Sequence, residues 1–402
     1  MRALQYDFTP TRWLLSRQVG ARARRLAIPL SGVRLCEVAL PAAPGPEWVR
    51  VRVRLAGICG SDVAMLRGRT GPQLSPFVSF PSVPGHEVLA VVEEGPLAGQ
   101  RVVLDPFLSC RVRGLPLCPA CNQGHTALCH RFAEGLLAPG MLLGYCRQLP
   151  GGWAERMLVH STQIHVVPDA VDDDTAVVAE PLAVALHAVL AAPPVAEDRV
   201  LVIGAGTVGL SVLAALQLWK TQAQVIAVAR HPRQRAQAAV FGAAEIVADV
   251  AAAERFAAQR GWGAPHTGLL GTRGWTGGFD RVFDAVGSAA SMAAALRLTT
   301  AGGRVDLLGC SGVLPRLDLT AVWAHELQVH GFCGYGVEAA AGGAHTIALG
   351  LQLLAERPDV PLRSLVTDHF PLERYREALA AAFFHRTSGS LKVVFAPEQG
   401  GQ

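Results

Sequence analysis

The sequence predicts an α/β protein in which a mostly β part precedes a doubly wound parallel sheet. At 402 residues the chain is long enough for two or three domains. Up to about Val167 it consists of short alternating runs separated by turns rich in glycine and proline. From Ala183 onward, apolar strand-like runs alternate with alanine-rich helical segments, which is typical of a parallel sheet covered by helices.

Composition excludes several classes of protein. Hydrophobic residues make up 50% of the chain and charged residues 17%, which excludes intrinsic disorder over most of its length. The formal charge of +4 is too weak and too scattered for a nucleic-acid surface. Glycines interrupt the uncharged stretch 200–219, so no membrane span is predicted. No signal peptide is recognised, so we expect a cytoplasmic protein. In that reducing compartment, nine cysteines favour metal or thiol chemistry over disulfides.

The first part is predicted to contain three clear strands. The alternation VRVRVRL predicts a strand over 48–55, because successive side chains of a strand point to opposite faces. Two shorter apolar runs predict strands at 88–92 and 101–104.

The second part is predicted to alternate strands and helices up to the C-terminal stretch. Segment 261–278 is rich in Gly, Trp and Thr without periodicity and is interpreted as a surface insertion. Apolar runs predict strands at 200–203, 225–229, 281–283 and 305–308. The final stretch predicts a strand over 327–333, helices over 339–356 and 372–382, and a strand over 391–395.

A glycine pattern follows the first strand of the second part. In G-x-G-x-x-G, Gly204 permits a tight turn, Gly206 lets a pyrophosphate approach the backbone, and Gly209 allows the helix to pack closely on the strand. Thr207 and Val208 open the helix, whose N-terminal amides favour phosphate. The strand–helix context predicts dinucleotide binding.

The next strand lacks the acidic residue that would bind the adenosine ribose. The chain has Ala229-Arg230-His231 at this place. Arg230, together with Arg233, is suited to pair with a 2′-phosphate, so NADP is predicted in preference to NAD. The alternative interpretation is that Arg230 is only a solvated arginine after a strand.

A first candidate metal site combines three distant side chains. Cys59, His86 and Glu180 offer a thiolate, an imidazole and a carboxylate, which are three ligands for zinc and leave a fourth place for water or substrate. Glu87 is an alternative ligand or a carboxylate behind the ligands. Asp62 is predicted to hold the other ring nitrogen of His86. Taken singly, each residue also has an ordinary structural interpretation.

A second candidate metal site is a run of four cysteines spaced C-x7-C-x2-C-x7-C. Four thiolates in a loop rich in glycine and proline suit a closed, structural zinc. His125 and His130 are alternative ligands. The rival interpretation, a redox-active C-x-x-C, leaves the outer cysteines unexplained. The four residues are Cys110, Cys118, Cys121 and Cys129.

Short motifs spread over nearly the whole chain occur together: GICGSD at 57–62, GHE at 85–87, GGWAE at 151–155, EPLAVALH at 180–187 and KVVF at 392–395. With the cysteine lobe and the glycine pattern, they resemble the zinc-dependent medium-chain dehydrogenase/reductase superfamily. The EPL motif most resembles the polyol, threonine and sugar dehydrogenase branches. The wide first gap of the cysteine lobe departs from the family, which leaves the role of Cys110 open, and Ala64 stands where many relatives carry a relay histidine.

The resemblance implies a domain organisation. A GroES-like catalytic domain would comprise 1–182, with the structural zinc lobe at about 105–132, and would be completed by 334–402. A Rossmann domain would occupy 183–333, with the active site in the cleft between the two domains.

The resemblance also implies an activity and a set of roles. The protein would transfer a hydride between a secondary alcohol, polyol or sugar hydroxyl and NAD(P), with Ser61 passing the hydroxyl proton outward beside Cys59, His86, Glu87 and Glu180. Gly287 and Leu308 would help to hold the nicotinamide ribose. The substrate would be a small molecule, and the protein a homo-dimer or homo-tetramer. A zinc-less quinone or enone reductase and a non-catalytic nucleotide sensor are the alternatives.

Overall fold

The structure is a computed structural model that describes residues 1–18, 24–271, 273–309 and 312–400. The chain divides into two compact units. The first unit comprises Met1–Glu180, Gly343–Ala355 and Arg363–Gln402, and the second comprises Pro181–Gly342 and Glu356–Leu362.

The first unit is mostly β. Alternation of buried valines with more exposed arginines forms its longest N-terminal strand, as the sequence predicted. Its strands up to residue 180 are β1 (Arg2–Tyr6), β2 (Val33–Glu37), β3 (Trp48–Gly57), β4 (Val88–Val92), β5 (Arg101–Leu104), β6 (Arg156–His160) and β7 (Ile164–Val166). Its helices over the same stretch are α1 (Pro10–Gln18), α2 (Arg24–Ala27), α3 (Gly60–Leu66), α4 (Pro119–Asn122) and α5 (Asp173–Val177), and α6 (Ala179–Leu190) begins at its end.

The second unit follows the alternation that the sequence predicted. Its strands are β8 (Arg199–Ile203), β9 (Gln224–Val228), β10 (Glu245–Val247), β11 (Gly263–Thr267), β12 (Arg273–Gly277), β13 (Phe279–Asp284), β14 (Thr299–Leu307), β15 (Gln328–Gly331) and the short β16 (Val337–Glu338). Its helices after α6 are α7 (Thr207–Leu218), α8 (Pro232–Val240), α9 (Val250–Gln259), α10 (Ala289–Leu298) and α11 (Thr320–Ala324).

The C-terminal stretch returns to the first unit. It contains β17 (Ala344–His345), α12 (Thr346–Glu356), β18 (Val366–Phe370), α13 (Tyr375–Phe383), α14 (His385–Ser388) and β19 (Lys392–Phe395). Strands β18 and β19 join the main sheet of the first unit, whose order is β18-β19-β3-β4-β5-β7, with β6 also pairing with β3. This sheet carries the loops that hold the first candidate metal site.

A six-stranded sheet forms the centre of the second unit. Its order is β10-β9-β8-β13-β14-β15, and every neighbouring pair is parallel. Counted from β8, this order is 3-2-1-4-5-6, the arrangement of a doubly wound dinucleotide-binding sheet. Strand β8 lies at the centre because it is apolar and buried on both faces. The predicted parallel sheet is therefore confirmed.

Two segments differ from the prediction. The helix predicted over 339–356 begins only at Thr346, because Gly342 and Gly343 adopt positive φ angles of 67° and 85° that an α-helix excludes. The segment 261–278, interpreted as a surface insertion, contains the antiparallel hairpin of β11 and β12, whose strands the sequence did not predict. Most side chains of β11 are exposed, so no apolar alternation marked it in the sequence. Within the described residues, every helix is too short or too polar to cross a bilayer.

Candidate functional site

Cys59 lies just beyond the end of β3, at the N-terminus of α3. Its backbone N–H donates to Oδ2 of Asp62 at 3.0 Å, so the carboxylate closes the first turn of the helix. Asp62 is fully buried. The predicted pair of Cys59 and Asp62 is therefore held in one rigid turn.

His86 lies between two features that fix its position. It follows Gly85, whose φ of 97° and contact with Trp153 leave no room for a side chain, and it precedes β4. Its Nδ1 lies 3.4 Å from Oδ1 of Asp62, and its Nε2 lies 3.4 Å from Oγ of Ser61. In the described part of the chain, neither Nδ1 nor Oδ1 has a well-aligned hydrogen-bond partner. Asp62 thus faces the ring nitrogen that the sequence assigned to it.

The surroundings of His86 favour positive charge. Burial by itself would lower the pKa of the imidazole, but the nearby Asp62 carboxylate and Cys59 thiol raise that pKa well above its ordinary value. The ring of Tyr145 lies next to that of His86, with ring centroids 6.0 Å apart. A cation enclosed by these groups would be stabilised electrostatically.

Glu87 is buried beside the same cluster and is paired with a buried lysine. Nζ of Lys392 forms an ion pair with Oε2 of Glu87 and donates to the carbonyl oxygen of Ile58 at 3.3 Å. Gly57 makes this arrangement possible, because a Cβ at that position would overlap the Glu87 carboxylate. The charge of Glu87 is therefore balanced within the protein.

The ligand atoms of Cys59, His86 and Glu87 all lie within 4.8 Å of one another. Glu180, the second residue of α6, is buried but does not join this group at that distance. The Glu180 carboxylate is nonetheless close enough to Lys392 to affect its pKa. Burial lowers the pKa of Lys392, whereas Glu87, Cys59 and Glu180 raise it, and the net shift is upward. The structure thus gathers a thiol, an imidazole and two acids around one buried region.

This donor set fits zinc. Zinc prefers thiolate and imidazole ligands with a carboxylate as third ligand, and a histidine ligand usually donates its other nitrogen to a carboxylate. Cys59, His86 and Asp62 are arranged in this way. The buried, negatively charged surroundings also match a divalent cation.

The four lobe cysteines form a second cluster, and all four Sγ atoms lie within 4.8 Å of one another. Tetrahedral zinc with bonds of about 2.3 Å would place sulfur atoms about 3.8 Å apart. Sγ of Cys110 lies 3.6 Å from Sγ of Cys129, which fits this geometry. The wide first gap therefore does not keep Cys110 away from the other cysteines.

Backbone N–H groups point at the sulfur atoms of the lobe. Cys118 donates to Sγ of Cys110 at 3.4 Å, and the backbone of His130 donates to Sγ of Cys118 at 3.5 Å. Burial would raise the pKa of Cys118, but donation from His130 and Cys121 lowers it to about 6. Such donation stabilises thiolate, the form that binds metal. The rings of His125 and His130 do not belong to the four-residue group.

Arg113 lies in the wide gap of the lobe and is completely buried. Its guanidinium has five N–H donors, and they reach five backbone carbonyl groups. Burial among these neutral acceptors lowers the pKa of the side chain. The acceptors are the carbonyl oxygens of Leu108, Glu134, Leu137, Ala138 and Gly140.

The glycine pattern has the geometry of a phosphate-binding turn. Gly204 has a φ of 95°, and a Cβ on Gly209 would overlap the carbonyl oxygen of Gly204. Gly206 is the N-cap of α7, and open space surrounds the position that its Cβ would occupy. Thr207 and Val208 begin the helix. A pyrophosphate can therefore approach this backbone and the N-terminus of α7 without a steric barrier.

Asp284, at the end of β13, organises the loop that contains Gly287. Its Oδ1 accepts the N–H groups of Val286 at 2.9 Å and Gly287 at 3.1 Å. Its carbonyl oxygen accepts the N–H of Leu308 at 2.9 Å, so the loops after β13 and β14 are joined. Burial raises the pKa of this carboxyl group, although the three donors that it accepts oppose the shift.

Arginines follow β9 where an acidic residue would bind a ribose. Arg230 and Arg233 are exposed, and Arg233 lies in the first turn of α8. Among the described residues, this edge therefore offers cationic side chains to a nucleotide.

Three residues near these sites escaped the sequence analysis. Lys392 could have been noticed, since it is one of two lysines and lies in an apolar C-terminal strand. Asp284 follows a buried strand, which is a weak signal. Tyr145 had no signal, because it is far in sequence from Ser61 and His86.

Two family models match the chain. A model described as the alcohol dehydrogenase GroES-like domain matches residues 45–169, and one described as zinc-binding dehydrogenase matches residues 207–348. These matches confirm the predicted combination of a GroES-like and a Rossmann-type domain.

Curated proteins with similar sequences include dehydrogenases. Sorbitol dehydrogenase of Arabidopsis thaliana is 28% identical over 362 residues, which cover 87% of this chain and 89% of that protein. The starvation-sensing protein RspB of Escherichia coli (strain K12) is 34% identical over 180 residues, which cover 43% of this chain and 47% of that protein.

Solved structures share the fold along nearly the whole chain. The crystal structure of a short chain alcohol dehydrogenase (rspB) from E. coli CFT073, complexed with NADH, superposes with a TM-score of 0.74 at 22% identity. The match covers 98% of this chain and 99% of that chain.

Proposed function

This chain belongs to the zinc-dependent medium-chain dehydrogenase/reductase family and is an NAD(P)-dependent alcohol or polyol dehydrogenase; we propose that Cys59, His86 and Glu180 hold its catalytic zinc. The clustering of Cys59 and His86, with Asp62 behind the imidazole, is the observation that carries this proposal. Glu180 is proposed as the third ligand because Lys392 already neutralises the alternative, Glu87.

The mechanism follows from these positions. Zinc bound here would supply Lewis-acid stabilisation of the substrate oxygen, and NAD(P) would supply the hydride acceptor. Asp62 holds His86 in one orientation, and the Lys392–Glu87 pair limits the negative charge around Cys59. Ser61, whose Oγ is 3.4 Å from Nε2 of His86, would accept the hydroxyl proton of the alcohol while it releases its own hydroxyl proton outward to water.

The proposed substrate is a secondary alcohol, polyol or sugar hydroxyl, or the matching carbonyl in the reverse direction. Similarity to sorbitol dehydrogenase supports the polyol class. NADP is the proposed cofactor, since Arg230 is exposed after β9 and suited to pair with a 2′-phosphate, and no carboxylate follows β9 to accept the ribose hydroxyls. Gly287 and Leu308 are proposed to hold the nicotinamide ribose, on loops that Asp284 joins.

Domain boundaries, assembly and location are also proposals. The catalytic domain would comprise 1–182 and 334–402, the Rossmann domain 183–333, and the lobe of about 105–132 would bind a structural zinc through its four cysteines. A homo-dimer or homo-tetramer is supported by β15, which is exposed and ends the six-stranded sheet. Cytoplasmic location is supported by the described cysteines, which are all free thiols.

One experiment tests the activity. Purified protein is analysed for zinc and then assayed with polyols, aldoses, amino alcohols and simple secondary alcohols, with NADP and NAD separately. We expect two zinc ions per chain, and turnover of at least one alcohol with NADP preferred. A protein without zinc that reduces quinones or enones, or one that binds nucleotide without turnover, would contradict the proposal.

Two variants test the assignments within it. Glu180→Ala should lower zinc content to one per chain, whereas Glu87→Ala should not; the reverse result would make Glu87 the ligand. Arg230→Ala should lower kcat/KM with NADP by about tenfold and leave kcat/KM with NAD unchanged, because a hydrogen bond to a charged group contributes about 1.5–3 kcal/mol.

A further inference from the structure

The GGWAE motif at 151–155 has no role in the proposed mechanism. Its tryptophan, Trp153, is fully buried. An indole N–H can only donate a hydrogen bond, and a buried tryptophan usually finds an acceptor for it. Here Nε1 of Trp153 donates to the carbonyl oxygen of Gly57 at 3.2 Å. Gly57 precedes Cys59 by two residues, so the motif reaches the segment that carries the first proposed zinc ligand.

The two residues before Cys59, Gly57 and Ile58, have partners for all four of their backbone polar groups. Their N–H groups donate to backbone carbonyl oxygens of neighbouring segments, at 2.8 Å and 2.9 Å. Their carbonyl oxygens accept from two side chains, the Trp153 indole and Nζ of Lys392. Paired backbone groups resist rotation of the peptide, because a rotation would leave them buried without partners. The Trp153 N–H therefore helps to fix the chain that leads into Cys59.

The backbone of the same motif holds the segment that precedes His86. Three consecutive N–H groups of the motif donate to three consecutive carbonyl oxygens of that segment. The pairs are Gly151 with Val83 at 2.7 Å, Gly152 with Gly85 at 2.8 Å and Trp153 with Pro84 at 3.0 Å. The indole ring also covers Gly85 so closely that a Cβ at that position would overlap the ring. Trp153 thus contacts both segments that carry proposed ligands.

The two glycines of the motif allow this close approach. A Cβ on Gly151 would overlap the facing carbonyl oxygens, and a Cβ on Gly152 would overlap a valine of β4. The other sides of Trp153 are also occupied. Its carbonyl oxygen accepts the N–H of Leu4 at 2.8 Å, and its ring meets that of Phe395 edge to face, with centroids 5.3 Å apart. The indole is therefore held in one position by packing and hydrogen bonds.

The distance between the thiolate and the imidazole decides how well this site fits zinc. In tetrahedral coordination, bonds of about 2.3 Å to sulfur and about 2.0 Å to nitrogen place these two ligand atoms about 3.5 Å apart. Cys59 and His86 lie on segments that are far apart in the sequence, so local structure alone does not set this distance. A site of this kind depends on residues behind the ligands that hold the ligand-bearing segments together.

We propose that Trp153 is a positioning residue that sets the separation of the Cys59 thiolate and the His86 imidazole before zinc binds. The inference rests on the proposed function, since it takes both side chains as ligands of one zinc ion. The indole N–H fixes the segment before Cys59, and the indole ring fixes the segment before His86. A site prepared in this way binds zinc more tightly, because less ordering of the chain accompanies binding.

Trp153→Phe tests the role of the indole N–H, since phenylalanine keeps an aromatic ring and lacks the donor. Competition with chelators of graded strength measures the zinc affinity of both sites. We expect the affinity of the Cys59 site to fall about fivefold, the effect of one neutral hydrogen bond, and the affinity of the cysteine lobe to stay unchanged. Trp48→Phe, which alters a buried tryptophan at the opposite end of β3, is the matched control and should change neither affinity. An unaltered affinity of the Cys59 site in the Trp153 variant would overturn the proposal. Equal losses at both sites would assign Trp153 to the folding of the whole unit and would also overturn it.

A spectroscopic measurement reports on the geometry of the site directly. Cadmium can replace zinc at thiolate sites, and its NMR resonance depends on the number and arrangement of the sulfur ligands. The lobe and the Cys59 site should therefore give separate resonances. Trp153→Phe should shift the resonance of the Cys59 site and leave that of the lobe in place, whereas identical spectra would overturn the proposal.

The two failures can be told apart. Wild-type protein that binds both metal ions, together with a Trp153 variant whose affinities and spectrum are unchanged, refutes the role of Trp153 alone. Wild-type protein that binds metal only in the cysteine lobe refutes the proposed function and this role together.

Discussion

The two cysteine clusters of the first unit are built by opposite means. The lobe takes four like ligands from 20 consecutive residues and turns backbone N–H groups onto their sulfur atoms. The other cluster takes unlike ligands from α3 and from the loop before β4, and surrounds them with side chains of both charges.

With the proposed zinc ligands, this difference would separate a closed zinc site from an open one. Four thiolates complete the coordination of zinc and leave no place for another ligand. A thiolate, an imidazole and one acid leave a position open for an oxygen ligand, and the hydroxyl of Ser61 lies 3.4 Å from Nε2 of His86. The site proposed as structural is thus built from residues close together in the sequence, and the site proposed as catalytic is built from residues far apart in the sequence.

The largest effect should come from the open cluster. Cys59→Ser removes a thiolate ligand, and we expect kcat/KM for alcohol oxidation to fall at least about 1000-fold, since Lewis-acid stabilisation is worth several kcal/mol. Zinc content should fall from two ions per chain to one, while the thermal unfolding temperature changes little. Cys36→Ser, a half-buried cysteine outside both clusters, is the control. Retained activity would show that Cys59 is not a ligand.

The closed cluster should respond in the opposite sense. Cys121→Ser should also remove one zinc ion, but its main effect should be a thermal unfolding temperature lower by at least about 5 °C, because structural zinc contributes directly to folding. Calorimetry and metal analysis of the same sample measure both quantities. Unchanged stability together with a complete loss of activity would reverse the roles assigned to the clusters.

An intermediate effect is expected behind His86. Asp62→Asn keeps the shape of the side chain and removes its charge, and partners of this kind contribute about 10- to 100-fold to metal affinity or activity. Competition with a chelator measures zinc affinity. Asp174→Asn, at a half-buried residue paired with His369, should leave the affinity unchanged. An unaltered affinity in the Asp62 variant would contradict the arrangement.

The smallest effect concerns His165, in β7. Its ring stacks on that of His345, with ring centroids 4.4 Å apart, and Nε2 of His345 lies 3.6 Å from the carboxylate of Asp105, the first residue of the lobe. Burial and the facing His345 lower the pKa of His165 to about 4, against the opposing influence of Asp105. The unfolded chain therefore binds a proton near its ordinary value of 6.5, and the folded chain does not.

The free energy of unfolding should consequently decrease as the pH falls from about 6.5 to about 4. His165→Phe should flatten this part of the profile, as measured by urea unfolding at a series of pH values. An identical slope in the variant would assign the pH dependence to other groups.

Most of the fold could be predicted from patterns that lie within short stretches of the sequence. Strand β3 begins where the alternation predicted, β4 and β5 begin where the apolar runs predicted, and the glycines of the turn before α7 adopt the geometry that their spacing required. The same reasoning extended one helix too far, because the alanines at 339–341 favour a helix that the glycines after them end.

The candidate sites were harder to predict from the sequence than the fold. Cys59 and His86 were predicted as neighbours because their residue types suggest one chemistry, although nothing in their spacing brings them together. The contact of Tyr145 with this region depends on the close approach of Gly144 to Gly85, a tertiary event that no local pattern encodes. Lys392 reaches Glu87 only because β19 pairs with β3.

Arg113 gives the lobe a second anchor that differs in kind from its cysteines. Its guanidinium joins carbonyl groups on both sides of the cysteine run, from Leu108 to Gly140. A chelator that strips the metal would therefore loosen the sulfur end first, while the base of the loop stays tied to a cation that no chelator extracts. Reloading would then start from a partly ordered loop, so metal uptake should be fast and should not wait for the whole unit to refold.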